Sequence, residues 1–292
     1  MMRVVSLVPA ATEMVYALGA ADQLVAVTHD DDFPPVVESL PRVTRSTIPV
    51  HASAREIDTL VRQAGARGES TFHLDERALR DARPDVILGQ TLCAVCAVTL
   101  DQIPATLDRA PLVVPLDAAS LEGMFEDLRR VGAALDRKRD AERLVSDLRL
   151  RMQAVADRVR GSRRPRVACL EWLDPPFNAG HWVPEQVRIA GGDDVLGEPG
   201  ERSREIAWTD VHAARPEIVV VMPCGWDAQR AAREAAAMTL VGGGARVVGV
   251  SGAAYFSRPG PRLIDGIELL ASILHPGQVA APDGAIAIAV PV

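Results

Sequence analysis

Hydrophobic positions in the middle of the chain are spaced for one long helix. Between Arg137 and Arg160 the apolar residues recur at intervals of three and four, and nearly all other positions are charged or polar. The apolar positions are Ala141, Leu144, Val145, Leu148, Met152, Val155, Ala156 and Val159. This spacing places them on one face of an α-helix, which at about 24 residues would be about 36 Å long. The pattern predicts either a helix that joins two lobes or a long surface helix within one domain.

Short apolar runs alternate with helical patterns on both sides of this segment. Before it, strands are predicted at 3–8, 24–28, 72–74, 83–89 and 112–116, and helices at 10–18, 53–64, 75–82, 98–107 and 120–135. After it, strands are predicted at 166–170, 216–220 and 247–250, and helices at 184–190, 227–238 and 262–274. The apolar tail from residue 278 is predicted to be an edge strand or a loose end. This alternation predicts an α/β fold with mostly parallel sheets covered by helices.

The second half of the sequence repeats a pattern of the first half. Residues 166–170 resemble residues 3–7, and residues 214–220 resemble residues 82–88. In each copy a helix ends, an Arg-Pro pair follows, and an apolar strand leads to a loop that contains a cysteine. We therefore predict two similar α/β lobes, at 1–117 and 163–292, with residues 118–162 forming a helical linker that includes the long helix.

Charge and hydropathy exclude several classes of protein. The chain has 292 residues, of which 48% are hydrophobic, and a net charge of -7. This acidic balance argues against a general nucleic-acid surface, and no apolar stretch approaches the length of a membrane span. The first apolar run, which follows Arg3 and precedes Glu13, is predicted to be a buried strand and not a signal peptide. We therefore expect a cytoplasmic protein, or a periplasmic or extracellular one if the natural start lies upstream.

The motifs of common enzyme classes are absent from the sequence. There is no P-loop, no GxSxG and no HExxH. The glycines at 242–244 precede their strand, whereas a dinucleotide-binding turn follows its strand. The sequence therefore predicts a protein that is not an enzyme.

Two of the four cysteines, Cys93 and Cys96, form a single CxxC. A structural zinc site is poorly supported because no second CxxC or nearby His pair accompanies it. Packed thiols beside a cleft, a redox-sensitive pair and metal ligation all stay open. The run Asp30, Asp31 and Asp32 is typical of a solvated turn more than of a cation site.

Aromatic residues are scarce, at 4% of the chain, and most of them gather in loops that follow predicted strands. The richest loop is 171–182, and further aromatic residues occur at 33, 226, 255 and 256. Aromatic side chains supply a large contact area at little conformational cost. The group therefore favours a cleft for a large, flat, partly apolar ligand, and packing within the core is the alternative.

Several motifs resemble those of a known family. They are SLVPAATE at 6–13 with YALGA at 16–20, VAVTHDDDFPP at 25–35, QTLCAVCAV at 90–98, EWLDPPFNAGHWVPE at 171–185 and YFSRPGPRLIDGIELLASILHP at 255–276. Across nearly the whole chain the sequence resembles class III substrate-binding proteins of ABC importers, the helical-backbone metal-chelate receptor type. Within that family it is most similar to leaderless members of the cobalamin-binding branch.

The resemblance implies two α/β lobes bridged by one long helix, with a corrinoid of the cobalamin or cobinamide type bound between them. The residues expected to bind this ligand are His29, Phe33, Cys93, Trp172, Phe177, His181, Trp182, Trp226, Tyr255 and Phe256. His181 is also a candidate axial ligand of the cobalt, because a neutral imidazole binds cobalt well. The alternative for His181 is a hydrogen-bonded loop residue.

The hypothesis of corrinoid binding implies an intracellular carrier or salvage factor with no catalytic residues, no nucleic-acid partner and no membrane insertion. An ABC permease is a further candidate partner. Two alternatives stay open at this stage: an importer component for a ferric siderophore or haem, and a corrinoid-related or thiol redox enzyme that uses Cys93 and Cys96.

Overall fold

In the computed structural model, strands and helices alternate along the chain largely as the sequence predicts. The structure describes residues 1–90, 102, 103, 107, 109–238 and 244–290. Most of the helix predicted at 98–107 lies outside these residues, as do Cys93 and Cys96.

The elements of the N-terminal part are, in order, β1 (Val4–Ser6), α1 (Pro9–Ala17), β2 (Leu24–Ala26), β3 (Thr44–Ser46), α2 (Ala54–Ala66), β4 (Phe72–Leu74), α3 (Glu76–Ala82), β5 (Val86–Gln90) and β6 (Leu112–Leu116). Two helices follow, α4 (Leu121–Ala134) and α5 (Lys138–Arg158). The C-terminal part contains β7 (Arg166–Leu173), β8 (Pro176–Asn178), α6 (Val183–Ile189), β9 (Asp193–Asp194), α7 (Trp208–Ala213), β10 (Ile218–Val221), α8 (Ala228–Ala236), β11 (Arg246–Val250), α9 (Gly252–Tyr255), α10 (Leu263–Leu274) and β12 (Ala287–Val290).

The chain divides into two units, and the division falls inside α5. The first unit comprises Met1–Ala118 and Glu122–Ser146, and the second comprises Ala119–Leu121 and Asp147–Val292. The residues that we predicted as a separate helical linker, 118–162, are therefore shared between the two units.

The N-terminal unit contains a four-stranded parallel sheet in the order β2-β1-β5-β6, with a small antiparallel pair of β3 and β4. Buried side chains of β1 and β5, among them Val5 and Ile87, pack with Leu79 of α3 in the core of this unit. Helix α1 starts directly after β1 with Pro9 in its first turn, where its missing N–H costs nothing. It stops at Gly19, whose φ of +67° suits glycine.

The C-terminal unit contains a six-stranded sheet that is parallel at its centre. Strands β7, β10 and β11 are parallel neighbours, β9 pairs in parallel with β7, and β8 and β12 are antiparallel additions. The tail is thus an edge strand, β12. Strand β7 extends to Leu173, three residues beyond its predicted end, because its last residues pair with β8. Both units therefore confirm the predicted α/β class with mostly parallel sheets.

The internal repeat is reproduced in matching hydrogen bonds. The backbone N–H of Arg3, just before β1, donates to the Asp85 carboxylate at 3.0 Å, and the N–H of Arg166 at the start of β7 donates to the Glu217 carboxylate at 3.0 Å. A second hydrogen bond joins the same two residues in each copy, because the backbone N–H groups of Asp85 and Glu217 donate to the carbonyls of Arg3 and Arg166. The acidic residue of each Arg-Pro-acid motif therefore fixes the entry of a central strand.

Helix α5 confirms the helix predicted from the hydrophobic spacing, over 21 residues. Of the eight predicted apolar positions, Ala141, Val145, Leu148, Val155 and Val159 are buried, and Leu144, Met152 and Ala156 are partly buried. The helix ends two residues earlier than predicted because the chain turns at Gly161, which has a φ of +80°. None of the helices within the described ranges has both the length and the hydropathy needed to cross a membrane.

Within the C-terminal unit, Arg151 attaches α5 to α10. Its guanidinium makes two hydrogen bonds to the Glu268 carboxylate, at 2.9 and 2.7 Å, and one to Asp265 at 2.6 Å. Two-pronged pairing of this kind is stronger than a single ion pair. Arg151 therefore links the two helices through both carboxylates.

We expect Arg151→Ala to lower the free energy of unfolding by about 1–2 kcal/mol, because two partly buried carboxylates lose their partner. Arg143→Ala is the matched control on the same helix, since Arg143 pairs with Asp140 at the surface, and it should cost less than about 0.5 kcal/mol. Urea unfolding of both variants measures the difference. Equal losses would show that the Arg151 contacts contribute no more than a surface pair.

Candidate functional site

Three loops that carry aromatic residues lie at one edge of the C-terminal sheet. The first loop follows β7 and includes β8, the second follows β10 and the third follows β11. Strands β7, β10 and β11 run parallel to one another. The carboxyl ends of parallel strands share one edge, and this edge is where ligands bind in open α/β sheets. The aromatic residues of loops 174–182, 222–227 and 251–262 are therefore gathered by the topology of the sheet.

Trp172, Trp226 and Arg230 are in contact at this edge, with the two indole rings tilted by 50° to each other. The ring centroids of Trp172 and Trp226 are 5.1 Å apart, and the guanidinium carbon of Arg230 lies 4.2 Å from the Trp226 ring centroid. Trp226 is only 3% exposed, whereas Trp172 is partly exposed. Trp226 is therefore covered by its neighbours and packs against Trp172, and the prediction that both residues line a ligand site stays a prediction.

Phe177 extends the aromatic surface beside Trp172. The two residues are direct partners in the antiparallel pairing of β7 and β8, so their side chains lie on the same face of the sheet. Both are partly exposed. Together they present a partly exposed aromatic surface at this edge.

His181 lies in the loop between β8 and α6, in a left-handed conformation with a φ of +53°. Its backbone N–H donates to the carbonyl of Glu201 at 2.6 Å, and its carbonyl accepts from the N–H of Gly200 at 2.9 Å. The imidazole is half-buried, and this burial, together with the positive charge of Arg202, lowers the pKa of His181. The lowered pKa favours the neutral ring, which is the form that can bind a metal.

Trp182 and Phe256 are core residues, with 4% and 2% of their surface exposed. The indole Nε1 group of Trp182 donates to the carbonyl oxygen of Phe256 at 2.7 Å. A buried indole needs such a partner, and this bond holds its ring inward. That these two side chains contact a ligand stays a prediction. Tyr255, next to Phe256, is partly exposed.

In the N-terminal unit, His29 and Phe33 lie in the loop after β2. The Nδ1 atom of His29 is 2.7 Å from the hydroxyl of Thr44, and its ring lies 5.4 Å from that of Phe72. Asp31 in the three-Asp run is buried and accepts two hydrogen bonds from Thr28, so it shapes a turn. Phe33 is 41% exposed.

The described cysteines have opposite surroundings. Cys169 is fully buried on β7, and this burial raises the pKa of its thiol well above the ordinary value. Cys224 is exposed in the loop after β10. Cys93, the cysteine expected to contact the ligand, lies outside the described residues.

Two polar residues at this edge were missed by the sequence analysis. Arg230 lies against Trp226, and the fully buried Gln186 donates to the carbonyl of Tyr255 at 3.2 Å. Each follows a tryptophan by four residues in the sequence, since Gln186 follows Trp182 and Arg230 follows Trp226. This spacing could have indicated them.

Comparison with known proteins identifies the family. The family described as periplasmic binding protein matches residues 4–238, so the chain belongs to this family. Its members are substrate-binding proteins of ABC transporters and not enzymes. The family resemblance and the absence of an enzymatic function are thus confirmed, and the alternative of a thiol redox enzyme is wrong.

Individual relatives are distant. The vitamin B12-binding protein of Yersinia pestis is 24% identical over 224 residues, which cover 75% of this chain and 69% of the relative. The periplasmic haem-binding protein of Pseudomonas aeruginosa superposes with a TM-score of 0.70 at 20% identity, over 99% of this chain and 96% of the other. The periplasmic vitamin B12-binding protein BtuF of Vibrio cholerae gives 0.60 at 19% identity, over 93% and 96%. These structures share the fold.

We expect the imidazole of His181 to titrate below the ordinary value of about 6.5, because burial disfavours its charged form and Arg202 repels it. Arg202→Gln should move the midpoint upward in part, since burial persists. Imidazole chemical shifts followed by NMR between pH 4 and 8 measure both. A midpoint at or above the ordinary value in the unsubstituted protein would contradict this account.

Proposed function

We propose that this protein binds a corrinoid of the cobalamin or cobinamide type through the carboxyl edge of its C-terminal sheet. The observation that carries the proposal is the paired, partly exposed surface of Trp172 and Phe177, supported by the buried Trp226. Similarity to vitamin B12-binding proteins over three quarters of the chain supports the same ligand class.

The chemistry of this edge suits a corrin ring. The ring is broad and flat, with apolar methyl groups and amide side chains at its rim. Trp172 and Phe177 offer an apolar surface to a ring face, and the Tyr255 hydroxyl and the His181 imidazole offer hydrogen-bonding groups. Binding of this kind needs no catalytic residue, and the protein would act as a carrier that releases the ligand unchanged.

His181 is proposed as an axial ligand of the cobalt. Its neutral ring supplies a nitrogen lone pair, and its backbone is fixed by hydrogen bonds to Gly200 and Glu201. His29 and Phe33 of the N-terminal unit stay proposed contact residues.

Haem or a ferric siderophore is the second candidate ligand. His and Tyr side chains are ordinary haem-iron ligands, and both His181 and Tyr255 are partly exposed at the same edge. The structural likeness to a haem-binding protein agrees with this alternative in fold.

Tryptophan fluorescence titration separates these ligands and tests the site. We expect cyanocobalamin and cobinamide to quench the emission in a saturable one-to-one manner, and Trp172→Ala to weaken binding by about tenfold or more, as loss of a central aromatic contact does. Trp208→Ala is the matched control, because Trp208 packs against the core of the same unit, and its affinity should stay within about twofold.

Tight binding of haemin or a ferric hydroxamate with no corrinoid binding would replace the first proposal by the second. Equal effects of the two substitutions would place the ligand away from Trp172.

The His181→Ala variant tests cobalt ligation separately. If the imidazole replaces a water on the cobalt, the visible absorption bands of bound cobinamide shift on binding, and His181→Ala abolishes this shift while binding persists. Identical spectra of the two bound forms would show that His181 does not reach the cobalt.

A further inference from the structure

Trp182, the residue that precedes α6, and Gln186 within α6 donate hydrogen bonds to consecutive backbone carbonyls at the end of α9. The Trp182 Nε1 group donates to the carbonyl of Phe256 at 2.7 Å. The Gln186 Nε2 group donates to the carbonyl of Tyr255 at 3.2 Å and to that of Leu263 at 2.7 Å. We name Trp182 and Gln186 together the α6 clamp. Its members lie one helical turn apart, so they reach the same segment.

Close packing of two glycines leaves the clamped segment little freedom to move. A Cβ atom at Gly266 of α10 would lie 2.5 Å from the Tyr255 carbonyl oxygen and 2.7 Å from the Gln186 Nε2 atom. A Cβ atom at Gly252, the first residue of α9, would lie 2.1 Å from the carbonyl oxygen of Pro223. The backbone around Tyr255 is therefore enclosed by α6, α10 and the loop after β10.

The same clamp is continuous with the His181 loop. Trp182 follows His181 directly, and the backbone of His181 is held by both Gly200 and Glu201. Gly180 is packed so closely that a Cβ atom there would lie 2.3 Å from the backbone nitrogen of Ser203. Trp182 thus joins the His181 loop through its main chain and the Tyr255 segment through its side chain.

We propose that Trp182 and Gln186 are positioning residues, which hold the His181 and Tyr255 side chains at a fixed separation so that the ligand binds without rearrangement of either loop. The proposal rests on the corrinoid-binding function proposed above. It assigns to the two buried residues a role in affinity without contact with the ligand.

The physical basis is the cost of a buried carbonyl that loses its donor. Backbone carbonyls shielded from water need a hydrogen-bond partner, and without the indole N–H the Phe256 carbonyl must move towards another donor. The Tyr255 segment would then sample several arrangements, and ligand binding would have to select one of them. Holding a contact group in its bound geometry in advance avoids this cost.

Two variants and one control test the clamp. Trp182→Phe keeps an aromatic ring and removes the N–H donor, and Gln186→Leu removes the amide donor at similar volume. Trp208→Phe is the same aromatic substitution in α7, where the ring packs against the core of the same unit. Amide hydrogen exchange is followed at Ala254 and Phe256 of the clamped segment and, for global stability, at Val220 in β10. Stopped-flow fluorescence with cobinamide measures binding in parallel.

We expect each clamp variant to speed exchange at Ala254 and Phe256 by about tenfold or more, with Val220 unchanged. Affinity for cobinamide should fall by a similar factor, and association should gain a slow step whose rate does not rise with ligand concentration. Trp208→Phe should change none of these. General loss of stability would speed exchange at Val220 as well, so the measurements distinguish positioning from unfolding.

Unchanged exchange at Ala254 and Phe256 in both variants would overturn the clamp, and faster exchange with unchanged affinity would overturn its role in binding. If either Trp182→Phe or Gln186→Leu fails to fold, the other variant alone tests the proposal by the same criteria. If the unsubstituted protein binds no corrinoid, the proposed function fails and the binding role with it, whereas the exchange measurement still decides whether the α6 clamp holds the segment.

Discussion

The parallel pairing of β7, β10 and β11 is the constraint on which the candidate site depends. Their registers align Leu170 with Val221, and Val221 with Gly249, so that the loops after these strands begin at one edge. Trp172 and Phe177 come from the β7–β8 hairpin, and a second segment supports them. Trp172 is supplied by one strand and its support, Trp226, by the loop after the next, so the site exists only when the sheet is assembled.

Hydrogen bonds from side chains to backbone groups further stabilise both units. In each unit the acidic residue of the Arg-Pro motif accepts a hydrogen bond where a central strand begins. In the C-terminal unit Trp182 and Gln186 also donate to backbone carbonyls, at the edge where the central strands end. Buried polar atoms are costly unless they are paired. In the C-terminal unit the hydrogen bonds of Trp182 and Gln186 lie next to the partly exposed His181 and Tyr255. The proposed contact groups are therefore attached to a rigid part of the core.

Much of the fold follows from patterns that are local in sequence. The spacing of Ala141, Leu148 and Val155 is enough to predict α5, because helix periodicity is set within a few turns. The site depends on non-local packing and is less predictable. Composition marks Trp182 and Trp226 as aromatic loop residues but does not show that both are buried, and the left-handed backbone of His181 results from hydrogen bonds to residues about twenty positions away.

The position of the cobalt atom tests the central claim most directly. Crystals grown with cobinamide would be measured on both sides of the cobalt absorption edge, and the anomalous difference map would locate the metal. We predict a single peak beside the carboxyl edge of β7, β10 and β11, with the corrin ring against Trp172 and Phe177. A peak elsewhere on the protein, or none from crystals that contain cobinamide, would contradict the account.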